Sequence, residues 1–513
     1  MIKRAISAII LALAATPAAA AWRVAESAHF IVYSEDKPDN VRTFAEQLER
    51  FDAAMRFLRK LEPSSDAPSN KLTIFQVSNV GAVQKMMGTR SANVYGFYNG
   101  RAGNSIAFVP RRAGTSSSWD LDAETVLLHE YAHHFMFRNY PAAFPLWFSE
   151  GWAEFNSTAR FVADGSVDVG LPAKHRAAGL FLGYNLPLET MMQADRRRLN
   201  AEATDVLYGK GWLLTHYLSF AKERDGQLGR YLLAINKGQA SLDAAKATFG
   251  DFGELENELH RYKNGRRMTY LRVPGHRLAI APVAVRELSA GGNAIMPAMM
   301  QSRRGVDDKS AKTVLQQARA AATPYPDDPF VQLALAEAEI DAGNNDEADK
   351  AADKVLATEP NNVRALVYKG RVAVQRLKAK DKATAAEWKL ARRWFTRANR
   401  AEPGAPEPLI HFYGSFADAG EKPTANAVEG LRAAATLAAE DEGLRLMLGY
   451  QMLQDGKGAD ARAALAPVAY HPHGGSLAEF AAKVVAAIDT GGAEAGLKAW
   501  NEKPAEEKAS ESP

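Results

Sequence analysis

The 513-residue sequence contains no cysteine. A disulfide framework is therefore excluded, and so is a thiolate-bound metal. Any ion held by this chain must take its ligands from histidine and carboxylates. An excess of one charge sign is missing as well. Against 60 acidic residues stand 63 basic ones, a formal net charge of +3, and two of the positive charges are Lys3 and Arg4. That balance carries no electrostatic footprint for nucleic acid or an anionic membrane surface. Beyond residue 21 no run is long and apolar enough to cross a bilayer. Histidine is sparse, with 11 in all, so a histidine cluster is informative.

What is present begins with an N-terminal processing signal. Met1 to Arg4 is short and basic, Ala5 to Ala15 is apolar, and Pro17 to Ala21 offers small residues in an A-x-A arrangement. The apolar stretch is too short to span, so residues 1–21 are expected to be a cleaved secretory signal peptide. No cysteine follows it to carry a lipid anchor. The expected destination is the bacterial periplasm, with no membrane span after signal removal. The remaining composition, 47% hydrophobic and 24% charged, is that of globular protein. The length predicts two or three domains.

The first part of the chain mixes strands and helices. His29 to Tyr33, Lys71 to Val77, Val94 to Tyr98 and Asn104 to Val109 have the look of strands, and Val41 to Leu61 carries apolar residues at helical spacing. A long helical region is expected from about 121 to 265, broken near Pro141, Pro145, Gly170 and Pro187. Residues 269–306, with Pro and Gly breaks, read as a bridge between domains. Residues 307–495 read as Ala-rich helical repeats. Pro326 and Pro360 are 34 residues apart, the tetratricopeptide period. The next unit ends at Pro403, longer by an insertion around Leu377 to Ala386, and further units end near Ala438 and Pro472. Such an array presents a surface for a protein partner. Residues 496–513 read as a disordered tail.

The chemistry concentrates in Thr125 to Phe137, which contains H-E-x-x-H at His129, Glu130 and His133. Residues four apart lie on one face of a helix, so both imidazoles can reach one ion, while Glu130 points toward the reacting water without ligating. Apolar neighbours such as Leu127, Leu128, Ala132 and Phe135 predict that the helix is buried, which makes ionisable groups costly without partners. His134 reads as structural. A catalytic zinc site needs a third protein ligand, and Glu150 follows in Phe144 to Phe155 (FPLWFSEGWAEF). Glu154, one turn on, is placed to orient a ligand imidazole from behind.

H-E-Y-A-H followed by W-F-S-E-G-W-A-E-F resembles the gluzincin metallopeptidases, in particular the peptidase MA-like proteins of bacteria, and is similar to the aminopeptidase N family. The resemblance covers roughly residues 22–265, with its specific motifs at 129–154 and 208–211, and the expected catalytic domain is 22–268. It implies a zincin-like α+β catalytic domain ahead of the all-α tetratricopeptide-like solenoid, one Zn²⁺ per chain on His129, His133 and Glu150, and peptide hydrolysis by a zinc-activated water with Glu130 as general base. Tyr208, in Y-G-K-G at the expected opening of a helix, resembles that family's oxyanion-stabilising tyrosine, with His216 as the substitute. The aminopeptidase G-x-M-E-N segment is missing, which points to endopeptidase action on peptide or protein substrates. A rival function is a protein-binding scaffold carrying a weak or inactive zincin-like head.

Overall fold

The computed structural model describes residues 21–88, 96–103, 105–111, 121–183 and 185–502. The expected signal segment up to residue 20, the start of the strand expected from Val94, Asn104, and the tail beyond 502 lie outside the described residues.

Strands β1 (Arg23–Glu26) and β2 (Phe30–Ser34) lead into helix α1 (Pro38–Leu58), followed by β3 (Leu72–Val77), α2 (Val80–Met87), β4 (Phe97–Asn99) and β5 (Ile106–Pro110). Next come α3 (Ala123–Asn139) and α4 (Leu146–Ser157), a small hairpin of β6 (Arg160–Phe161) and β7 (Val167–Val169), and helices α5 (Ala177–Phe181), α6 (Leu188–Met192), α7 (Ala201–Phe220), α8 (Gln227–Asn236), α9 (Ser241–Phe249) and α10 (Phe252–Lys263). The region expected to be helical from about 121 to 265 with breaks thus contains a β-hairpin just before the expected break at Gly170. It is completed by β8 (Leu271–Val273), which pairs antiparallel with β7. Strand β9 (Ala284–Glu287) precedes α11 (Ala290–Arg304).

The main sheet has six strands in the order β4-β5-β3-β2-β1-β9. Its central pairs, β2 with β3 and β3 with β5, are parallel, and the outer pairs are antiparallel. Period-two alternation sorts the side chains to two cores. Phe30, Val32, Ile74, Ala107 and Val109 face the cluster that contains residues of α1 and α3. Phe75, Val77, Ile106 and Phe108 face the opposite cluster, whose other wall is Ile295, Met296 and Met299 of α11. Phe75 stacks between Tyr33 and Phe108, with ring centroids 5.4 and 4.9 Å away.

That second cluster corrects the expected bridge at 269–306. Strand β9 is an edge of the main sheet and α11 covers its second face, so Ala284 to Arg304 completes the sheet instead of linking two domains. The reason is elementary: a sheet apolar on both faces must be covered on both, and the helices that cover the second face are the beginning of the helical array. These are α11, α12 (Asp308–Ala322) and α13 (Pro329–Asp341). The array continues with α14 (Asn345–Thr358), α15 (Val363–Lys378), α16 (Ala385–Ala401), α17 (Pro406–Asp418), α18 (Ala425–Leu437), α19 (Glu442–Gln454), α20 (Gly458–Ala469) and α21 (Ser476–Asn501). Successive helices pair as hairpins, with α13 against α14, α15 against α16, α17 against α18 and α19 against α20. The turn Ala342-Gly343-Asn344 joins α13 to α14, and the longer connection from 379 to 384 joins α15 to α16. Helix α21 runs to Asn501, so the segment from 496 onward begins as helix where a tail was expected. Among the described residues no helix is long and apolar enough to cross a membrane.

The shared core predicts a specific outcome. Proteolytic nicking near Gly305, between α11 and α12, should leave two fragments that co-elute on a sizing column. They should separate only in denaturant, because Val314, Ala318 and Val331 stay buried against α11 and the sheet. Fragments that part in plain buffer would show that the two clusters are energetically independent.

Candidate metal centre

Helix α3 starts where the sequence places a cap: Asp122 accepts from the backbone N–H of Thr125. It is buried on nearly every side, and His129, His133 and His134 are all buried with it. Helix α4 crosses beside it and is buried along its whole length, Trp147 to Ser157. The two helices bring Nε2 of His129 and Nε2 of His133 to 3.1 Å from each other. Oε2 of Glu150 lies 3.1 Å from the first and 3.4 Å from the second. Ligand atoms on a tetrahedral ion with bonds of about 2.1 Å stand roughly 3.4 Å apart. The three atoms therefore have the mutual spacing of a ligand set.

Two further observations test the fit. The other oxygen of Glu150, Oε1, is buried with no hydrogen-bond partner, an uncompensated position that an ion would relieve. Two imidazole nitrogens that face each other and a carboxylate also need positive charge between them. Without a metal that charge falls to a proton: burial disfavours protonated His129, yet the adjoining Glu150 and Glu154 carboxylates outweigh it and raise its pKa to about 10. Burial dominates at His133 and lowers its pKa. Glu150 is held ionised, well below the usual carboxylate range, because its histidine partners outweigh the cost of burial. A divalent cation satisfies all these groups, and nitrogen with carboxylate oxygen suits zinc. Among the described residues this is the group of three that can hold a metal.

The groups behind the ligands keep Nε2 free for this work. Nδ1 of His129 faces Oε1 of Glu154 at 3.4 Å, and Nδ1 of His133 lies 3.4 Å from the Ser149 hydroxyl. Glu154 is itself clamped. Arg176 donates from Nε and Nη2 to its Oε1 at 3.0 and 2.6 Å, and His175 Nε2 lies 2.7 Å from its Oε2. These partners hold its carboxyl well below the ordinary range against a large burial cost.

Tyr208 reaches the same place from α7. The helix begins at Ala201, capped by Asn200. Y-G-K-G therefore lies inside a helix and does not open one. The Tyr208 ring stacks on His129 with centroids 5.8 Å apart, and Arg176 covers it at 4.9 Å. Burial and the Glu150 carboxylate push its phenol well above 10, so it is a donor and not a base. His216 is elsewhere committed: its Nε2 lies 3.0 and 2.9 Å from the carbonyls of Gly170 and Thr269, and Tyr262 is 2.8 Å from Nδ1. It is no substitute for Tyr208. His134 contacts the Tyr98 hydroxyl at 2.8 Å through Nδ1, a structural role.

Glu130 faces a cleft of about 400 Å³. One wall is β4 with Tyr98; the other comes from the array, through Glu440 and Leu477 and the segment His471 to Gly474. His473 Nε2 stands 3.8 Å from Glu130 Oε2. Burial alone would raise the pKa of Glu130, but His473, His129 and His133 together lower it to about 2. Sequence reasoning missed His473, His471, His175 and Arg176. None has a local motif, and His473 lies over three hundred residues downstream of the helix it meets. The one legible signal is the pair H-P-H-G-G at 471–475, an unusual density for so histidine-poor a chain.

No family model matches the chain, and no curated protein matches it. Among solved structures it is similar to a thermophilic tetratricopeptide-repeat protein of Thermus thermophilus, at 18% identity and a TM-score of 0.32, covering 37% of this chain and 97% of that one. It is also similar to a MamA RS-1 double mutant, at 20% identity and a TM-score of 0.26, covering 34% and 94%. The corresponding values for MamA AMB-1 are 16%, 0.25, 34% and 96%.

One packing detail decides how α4 meets α7. A Cβ on Gly151 would lie 2.3 Å from the Gly211 carbonyl, and one on Gly211 would lie 2.6 Å from the Trp147 carbonyl oxygen. The helices touch backbone to backbone. Gly151→Ala should therefore lower stability by at least the roughly 1–3 kcal/mol typical of overpacking and weaken metal binding, since Glu150 and Glu154 flank the contact. Thermal unfolding with and without Zn²⁺ measures both. A variant as stable and as zinc-avid as the parent would show that the crossing has slack.

Proposed function

We propose that this protein is a zinc-dependent peptidase of gluzincin type, secreted to the periplasm and acting as an endopeptidase. The observation that carries the reading is the convergence of His129 Nε2, His133 Nε2 and Glu150 Oε2, with the carboxylate of Glu130 beside them and open to a cleft. Zinc bound there would polarise a substrate carbonyl and bring the pKa of water down toward ~7.

The remaining work belongs to the chain's own residues. Glu130, kept ionised by the histidines around it, accepts the proton of the attacking water and returns it to the leaving amine nitrogen. Tyr208, protonated throughout, offers its hydroxyl to the oxygen on which negative charge develops. Glu154, fixed by Arg176 and His175, holds the His129 ring so that Nε2 and not Nδ1 faces the centre. Strand β4, one of the two edges of the main sheet among the described residues, borders the cleft at Tyr98 and Asn99. An extended peptide can lie along such an edge.

The helical hairpins support a second reading, a protein-binding array with a catalytically idle head. Two variants separate the readings. Glu130→Gln removes the base and keeps every ligand, so it should retain one zinc per chain and lose hydrolysis of unfolded protein such as reduced casein. Tyr208→Phe should lower kcat on the order of a hundredfold to a thousandfold, with KM and zinc content little changed. The loss of zinc on His133→Ala, read by metal analysis, checks the centre itself. A parent protein that binds zinc yet cleaves nothing in a broad peptide screen would favour the array reading.

A further inference from the structure

The turn between α20 and α21 reaches back across the molecule to the metal centre. His473 lies edge-on to the ring of the ligand His133, with centroids 5.5 Å apart, and its Nε2 is the ion-pair partner of Glu130 among the described residues. The side chain is 48% exposed, so it faces the cleft and is not core packing. Its neighbour His471 anchors the turn. That ring stacks on Phe137 of α3, 5.3 Å between centroids, and Nε2 lies 3.0 Å from Oε1 of Glu442 at the start of α19. Gly474 and Gly475 follow with φ of +66° and +98°, a left-handed pair that only glycine adopts without strain. Nothing lies within 4 Å of where their Cβ atoms would be. The glycines therefore serve the backbone path that presents His473, not close packing.

The array is also docked firmly enough to hold this turn in place. Arg138, at the end of α3, pairs with Asp66 of the head and with Glu440 of the array, the latter at 3.3 Å. Asp441 Oδ2 accepts from the Ala102 N–H at 2.7 Å, beside β4. Glu402 accepts from both the N–H and the hydroxyl of Ser69 at 2.9 and 2.6 Å, and Asn70 donates to the Leu437 carbonyl at 2.8 Å. These contacts come from α16 through α19 and flank the cleft wall. Their partners are buried or half-buried polar groups, for which leaving either side unpaired is costly.

We propose that the helical array supplies His473 as the positioning residue for Glu130, so that the hydrolytic site is complete only with the array in place. The imidazole stands within ion-pair range of Oε2, 3.8 Å away, where Glu130 lines the cleft. A carboxylate on a helix that can rotate about its own side-chain bonds gains a fixed aim from this contact, and aim is what a general base requires. The array is then a part of the enzyme and not an appended scaffold.

The activity arm of the test rests on the peptidase reading; the placement arm does not. In full-length protein labelled with ¹⁵N-histidine, the ring resonance that disappears in His473→Gln identifies His473. That resonance should shift when Glu130→Gln is introduced, with or without Zn²⁺. In steady-state hydrolysis of a casein-derived peptide, His473→Ala should lower kcat about tenfold to a hundredfold, the range for groups that orient an active residue, with zinc content and KM unchanged. His473→Gln, which keeps a side-chain N–H, should recover most of that loss and melt at the parent's temperature. A His473 resonance indifferent to Glu130→Gln would overturn the proposal, as would full turnover by His473→Ala. If the parent hydrolyses nothing, the peptidase reading fails, and the resonance alone decides whether the array places His473 on Glu130.

Discussion

Backbone contact between α4 and α7 sets the geometry on which the rest of the centre depends. Glycine inside a helix costs about 0.5–1 kcal/mol relative to alanine, and this pair of helices bears that cost twice, at Gly151 and Gly211. What it permits is an approach that no side chain would allow. It puts Glu150 and Glu154 on one helix within reach of His129 on a second and Tyr208 on a third. Because each of these groups is buried and charged or polar, each is tolerated only while the others are in position. The crossing and the polar cluster therefore stand or fall together.

The same logic explains why the carboxylates differ. Glu150 is flanked by imidazoles and has one oxygen unsatisfied; Glu154 has both oxygens taken, by Arg176, His175 and His129. One is open for a metal and the other is closed. Glu130, third in the set, is the one that faces the cleft. Three glutamates within two helices thus acquire three different environments from burial and partners alone, with no difference in their intrinsic chemistry.

How much of this is legible in the sequence follows from which signals are local. H-E-x-x-H declares itself because helical periodicity alone puts His129 and His133 on one face. F-P-L-W-F-S-E-G-W-A-E-F, dense in aromatics, announces a buried helix carrying two carboxylates. The short, largely apolar runs of β2, β3 and β5 likewise read as strands. What the strands do not say is what covers the second face, and so α11 and β9 read as a linker although they complete the sheet. The two glycines beside Tyr208 look like a helix boundary; their tolerance inside α7 comes from contacts with α4 and α5 that are tertiary. The Arg176–Glu154 clamp and the His473–Glu130 contact are invisible for the same reason. Neither has a period, and a lone residue far along the chain carries no mark of the partner it will meet.

Sharing one sheet between head and array has a mechanical consequence. In an array of hairpins each unit touches mainly its neighbours, and a free array can flex along its length. Here α11 to α13 are fixed to the sheet by an apolar core, while the turns around Glu402, Asp441 and His473 are tied to the head by polar contacts. Anchored at its beginning and touched again near its end, the array closes around the β4 side of the head instead of extending from it. The cleft at Glu130 lies between those two attachments. The spacing of its walls therefore depends on how the hairpins between α13 and α20 stack, including the apolar cluster that holds Val374, Trp388 and Phe395.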